Sequence, residues 1–369
     1  MNAALTVTEL AVTGVGVVSP WGDDPDAAAA GGGAAMTGAD GWFDHRERLG
    51  RRGYKYLPAA AQYALAAARA AVADGGRPDA VPADRRGLVL ATGAGLAGLF
   101  DAMDATVAED GGAALLSPAT APYFAVNVLG NRLAAELGLK GFALTMAAVR
   151  TAAADALSTG ALALAAGRCD TLVLAAAEEP LPPSRGGGGE QGAVALTLEP
   201  LAAARSLGAR VRAAVRARSL FLPPDSLRGA AGRERAAAHV AQALDGLFAS
   251  GHEPAAVHVD LDLDASAVSE AVALATAGVP ALTGARVTAE RPVAAAQPVG
   301  AGGPAAAGPD ERPPGEPRVG CLGPALAVAR AVTAPPGPDR LVVCATGAGH
   351  AALVRISPVP ADHTGATTC

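Results

Sequence analysis

Few side chains in this sequence combine the type and spacing that chemistry requires. The four cysteines, Cys169, Cys321, Cys344 and Cys369, stand far apart, with no Cys-x-x-Cys pair for a metal and no disulfide framework. They read as reduced thiols. His45, His239, His252 and His363 occur singly and read as surface or loop residues, while His258 lies in an apolar strand and reads as a core histidine. Asp260, Asp262 and Asp264 alternate with leucines, so the three carboxylates share one strand face and could ligate a cation, but no further ligand stands beside them. Gly93-Ala94-Gly95-Leu96-Ala97-Gly98 follows a strand and opens a helix, the setting in which backbone amides can approach a pyrophosphate. That strand is not the first in the chain, and no acidic residue ends a later strand at ribose distance, so a tight turn is the competing reading. No Gly-x-Ser-x-Gly elbow exists, and Ser158 falls inside a helical stretch.

The elements around these residues alternate between strand and helix. Residues 9–18, 87–91, 142–146, 171–177 and 192–198 read as strands, with helices at 59–74, 96–107 and 151–166. The rhythm then recurs, with strands at 210–217, 256–263, 341–345 and 351–356 and helices at 233–249 and 265–277. Alternation of this kind implies α/β layers around buried sheets. Residues 291–317 are dominated by Ala, Gly and Pro and cannot bury enough surface to offset their ordering entropy, which predicts a mobile loop.

Composition excludes several classes. With 51% hydrophobic and 17% charged residues the chain is not disordered, and no apolar run reaches the ~20 residues of a membrane span. The formal net charge of -6 and the lack of a basic face exclude nucleic acid as an expected partner. Glu9 and the lack of a positive segment argue against a secretory signal, so a cytoplasmic location is expected. Neither a metal nor a cofactor is expected.

The order of the motifs narrows the reading. Val12-Thr13-Gly14-Val15-Gly16-Val17-Val18-Ser19-Pro20 resembles the first strand of β-ketoacyl synthases, and Gly138-Leu139-Lys140-Gly141 through Leu144-Thr145 resembles the segment leading to their nucleophile. Gly189-Glu190-Gln191-Gly192-Ala193 and the strand to Glu199 resemble their Gly-Glu-Gly-Ala strand, and Gly347-Ala348-Gly349 their C-terminal Gly-Phe-Gly-Gly turn. The resemblance implies the thiolase fold, an α/β architecture of two similar halves (1–205 and 206–369) in five αβαβα layers, normally an obligate dimer.

It also implies that the catalytic residues are replaced. The nucleophilic cysteine falls at Arg150, a register supported by Thr151-Ala152-Ala153-Ala154-Asp155-Ala156, which resembles the stretch after the nucleophile in type II polyketide ketosynthases. Arginine has donors only and cannot carry an acyl thioester. Asp260 stands where the first enolate-stabilising histidine belongs, and Pro317 where the second does. Such a chain is similar to a chain length factor, the ketosynthase-like subunit without a nucleophile, although those usually carry glutamine rather than arginine at that position. Its implied partners are an active ketosynthase subunit and, through the complex, an acyl carrier protein. Phe142, Met146, Arg150, Thr151 and Asp155 are then expected at the dimer interface or substrate tunnel. An ion pair of Arg150 with Asp260 or Asp262 is expected to close the dead centre. An independent acyltransferase or decarboxylase on the same scaffold, using another group, and a decayed scaffold protein are the alternatives.

Overall fold

The computed structural model describes residues 8–32, 41–76, 80–110, 112–148, 150–185, 189–248, 257–263, 266–277, 288–290 and 320–359. The predicted mobile loop and Pro317 lie outside these. In chain order the strands are β1 (Leu10–Val18), β2 (Arg86–Thr92), β3 (Ala143–Ala147), β4 (Thr171–Glu178), β5 (Gly192–Pro200), β6 (Ala213–Phe221), β7 (Val257–Leu263), β8 (Thr288–Glu290), β9 (Asp339–Ala345) and β10 (His350–Pro358). The helices are α1 (Pro25–Gly32), α2 (His45–Arg48), α3 (Ala59–Gly75), α4 (Ala97–Asp110), α5 (Asn127–Leu137), α6 (Ala152–Ala165), α7 (Leu201–Ser206), α8 (Ala230–Phe248), α9 (Ala267–Ala277) and α10 (Leu322–Thr333).

The strand order is β3-β2-β4-β5-β1-β6-β10-β9-β7-β8. β1–β5 and β6–β10 repeat one pattern in mirror sequence about the β1–β6 junction. In each, the second strand runs parallel to the third and fourth, and the fifth is antiparallel to both its neighbours. The halves join through a short antiparallel pairing of Leu10–Val12 with Val215–Ala213.

Alternation of side chains along the strands sorts the core into layers. Val89, Leu174, Val194, Val342 and Val354 face a central cluster built on α6 and α10. Leu88, Val173 and Ala195 face α3 and α5, and Leu341, Val343 and Leu353 face α8 and α9. Helices therefore lie outside each half of the sheet and between the two halves, which is the expected five-layer thiolase arrangement. α10 is buried on nearly all sides and its sequence is correspondingly apolar, while α6 buries its alanine-rich faces and leaves Leu162 exposed.

Glycine decides how closely one pair packs. A Cβ at Gly14 or Gly16 of β1 would overlap a carbonyl oxygen of α3, Ala71 or Ala67 respectively. The alanine face of α3 thus rests directly on the strand backbone. Asp74 of α3 fastens the contact, accepting from the Val15 amide at 2.8 Å and from Arg212 Nε at 2.7 Å.

Two departures from the sequence reading have physical causes. β6 runs from Ala213 to Phe221 rather than over 210–217, because β10 pairs with it along that whole length. α5 and α10 escape the sequence reading, each short and carrying a helix-weakening residue inside it, Gly130 in α5 and Gly323-Pro324 in α10.

Candidate functional site

The chemistry-bearing residues collect around the N-termini of α6 and α10, in the central layer. Arg150 and Thr151 enter α6 and are 5% and 1% exposed. Thr151 Oγ1 bonds Asp155 Oδ2 at 2.8 Å, which keeps a carboxylate in the helix's first turn, where the dipole favours it. Phe142 and Met146, at the edge strand β3, pack partly buried against the same central cluster. Phe142 and Met146 thus pack on the layer that α6 belongs to, and Thr151 and Asp155 bond each other in its first turn, next to Arg150.

Asp260 lies on β7 in register with Val342 of β9, whose side chain belongs to the central cluster, so it faces the layer that holds Arg150. Asp262 occupies the register position beside Cys344. The Arg150 charge favours the ionised form of Glu190. Glu190 was quoted above only as part of a family motif.

The Gly93–Gly98 turn is not a pyrophosphate cradle. The Gly93, Ala94 and Gly98 amides already donate to the protein's own carboxylates, Gly95 N to Thr92 Oγ1 and Ala97 N to the Ala94 carbonyl. Glu178, the last residue of β4, accepts from Gly93 N at 2.6 Å and Ala94 N at 2.8 Å, and Thr92 Oγ1 stands 3.3 Å from it. Glu179, on the opposite face of the chain, accepts from Gly98 N at 3.1 Å and Ala60 N at 3.5 Å. The tight-turn reading holds, with an internal anion where a phosphate would sit.

The same carboxylates reach the second half. Glu178 also accepts from Cys321 N at 3.0 Å, and Glu190 accepts from Leu322 N at 2.6 Å and Gly323 N at 3.2 Å. These are the orphan amides of the first turn of α10. Burial raises the pKa of all three acids. Glu179 is pushed up to about 7, and Glu190, with the Glu178 charge beside it, to about 8. Sequence reasoning missed this trio. The available signal was two acidic residues ending the apolar run of 171–177, where solvent has little access.

No described thiol is poised as a nucleophile. Cys169, which follows α6, is pushed up to about 11 by burial and Asp170, and Cys344 to about 12 by burial and Asp155. Cys321 sits at the N-cap of α10, but burial and the charges of Glu178 and Glu190 drive its pKa well up, so the helix dipole does not yield a thiolate. Among the described residues no cluster of three or more His, Cys, Asp or Glu side chains could hold a metal. None of the described helices is long and apolar enough to cross a membrane. Beside Glu179 a cleft of ≈ 910 Å³ opens between Tyr56, Leu57, Leu99, Tyr123 and Leu181.

Residues 27–209 match the family of the β-ketoacyl synthase N-terminal domain. The chain belongs to the β-ketoacyl synthase family. No curated protein matches it in sequence. Among solved structures, the ishigamide ketosynthase/chain length factor is 21% identical, with TM-score 0.67, covering 96% of this chain and 100% of that one. AntDE:AntF, a type II polyketide acyl carrier protein in complex with its ketosynthase bound to the hexaketide, is 17% identical with TM-score 0.67, covering 95% and 100%. A β-ketoacyl synthase from Burkholderia phymatum is 15% identical with TM-score 0.61, covering 96% and 100%. At these identities the likeness is one of fold.

Proposed function

We propose that this β-ketoacyl synthase relative is a non-catalytic subunit of the chain length factor type, pairing with an active ketosynthase that works on carrier-bound chains in type II polyketide or related biosynthesis. The observation that carries the reading is the buried Arg150 at the entrance of α6, in a chain whose described thiols are all held protonated. An ionised cysteine cannot be improvised there, and Asp260, where the first histidine belongs, would repel a developing enolate rather than stabilise it. Two of the similar folds are a ketosynthase/chain length factor and a ketosynthase in complex with its carrier protein, which supports the same kind of assembly here. The edge strand β3 supports it too: it ends the sheet and exposes Ala143, Leu144 and Ala147. The cleft beside Glu179 has the size of a small-molecule site and offers room for part of an extended chain.

The test is co-expression with a ketosynthase encoded beside it. The pair is expected to co-purify and to condense malonyl units on a carrier protein, with this chain inert alone and free of acyl adducts by intact mass. Condensation, decarboxylation or a stoichiometric acyl shift by the chain alone would overturn the reading in favour of an independent enzyme. Failure of any ketosynthase to associate would favour a decayed scaffold.

A further inference from the structure

Of the three buried carboxylates, Glu179 is the one that meets a cavity. Glu178 is surrounded by amide and hydroxyl donors, and Glu190 has Arg150 acting on it. Glu179 is 7% exposed and holds only backbone amides, Gly98 N at 3.1 Å and Ala60 N at 3.5 Å. Among the described residues no Lys or Arg forms an ion pair with it, and Glu178 adds a like charge beside it. A buried anion without a counter-ion is costly, and a cation from outside removes that cost. The cleft of ≈ 910 Å³ that Glu179 lines gives such a cation a place. Leu57, Leu99, Tyr123 and Leu181 form half-buried walls, and Tyr56, 82% exposed, stands at the mouth. Lys55, the cation on the lining, is spent elsewhere: its ammonium lies 5.4 Å from the centre of the Tyr56 ring.

We propose that this cleft is a binding site for an apolar primary amine, with the ammonium on Glu179 and the hydrocarbon along Leu57, Leu99 and Leu181. A carboxylate has about four acceptor positions, which the amides fill only in part, and an ammonium brings three donors to the rest. A metal ion fits less well, because Glu179 is the single acid among the described lining residues and Mg²⁺ or Ca²⁺ needs several oxygens. The volume lies at the upper end for small-molecule sites, so an apolar body fits as well as the charged head. The site does not depend on pairing with a ketosynthase. Where the chain does pair, the amine marks the leading end of a carrier-borne substrate.

Calorimetric titration of the full chain with octylammonium, octanol and octanoate tests the site. At about pH 8 the amine is charged and Glu179, pushed up to about 7, is ionised. Octylammonium should bind at least about tenfold more tightly than octanoate, with octanol between them. Glu179→Gln, which keeps the size and an acceptor oxygen but no charge, should bring the three within about threefold of one another. Leu99→Trp, which fills the cleft, should weaken all three. Octanoate binding as tightly as octylammonium, or a preference that survives Glu179→Gln, overturns the proposal. Should the variants not fold, photolabelling of the wild-type chain with a diazirine-bearing octylammonium decides. The label must fall on residues 55–59, 98–99 or 179–182, and labelling elsewhere or none refutes the site. These assays contain no ketosynthase, so a failure to bind the amine and a failure to pair are separate results.

Discussion

An arginine at the entrance of a helix is placed against the positive end of the dipole, and burial adds a desolvation cost. Arg150 is 5% exposed and its charge favours the ionised form of Glu190, so the position proposed for the family's nucleophile is part of an electrostatic network. The neighbouring thiols are correspondingly quiet. Native-state alkylation near neutral pH, read by peptide mapping, should leave Cys169, Cys321 and Cys344 unmodified, while denaturant exposes all three. Rapid native modification of Cys321 would contradict its protonated state. Arg150→Cys should likewise give no condensing activity with a ketosynthase substrate. On the proposed register the new thiol gains a helix N-terminus but neither enolate-stabilising histidine, since that register sets Asp260 and Pro317 at those positions.

At the scale of elements, α3 and β1 show how composition sets distance. An alanine-faced helix can lie on a strand only where the strand has no side chains beneath it, which Gly14 and Gly16 provide. Gly16→Val would drive its side chain into the Ala67 carbonyl and should lower the unfolding free energy by about 3 kcal/mol, the upper range for overpacking, or prevent folding. Gly246→Ala in α8 meets nothing within 4 Å and should stabilise by about 0.5–1 kcal/mol, because it removes only a helix glycine. Urea unfolding of the two variants checks both signs. The helices differ in how they could be read. α6 shows as a long alanine- and leucine-rich run ended by Gly167, whereas the cap of α10 comes from Glu178 and Glu190, which no local pattern announces.

At the scale of the molecule, β3 is a terminal strand with β2 as its only neighbour in the order, and it presents Leu144 at 37% exposure. An apolar edge of this kind is a template for pairing with another chain. Leu144→Lys should therefore raise the dissociation constant of the proposed heterodimer at least about tenfold, or ~1.4 kcal/mol, with the thermal stability of the isolated chain little changed. Sedimentation or light scattering of the mixed subunits measures it. An unaltered constant would place the interface elsewhere.

The alternation of elements, the duplicated rhythm and the family resemblance were legible in the residues themselves, because buried strands and alanine-rich helices announce themselves over short windows. The proposed replacement at Arg150 rests on the register that Thr151 to Ala156 set. The carboxylate trio was not legible. Glu178 and Glu190 look in sequence like ordinary strand-end acids, and Gly93 to Gly98 like a place for a foreign phosphate. Only the stacking of the two halves brings the first turn of α10 onto Glu178 and Glu190, across more than 130 residues, and turns strand-end acids into a resident anion. Local propensity acts over a few residues, whereas burial and its effect on a carboxyl's charge belong to the assembled core, and that is where this site was decided.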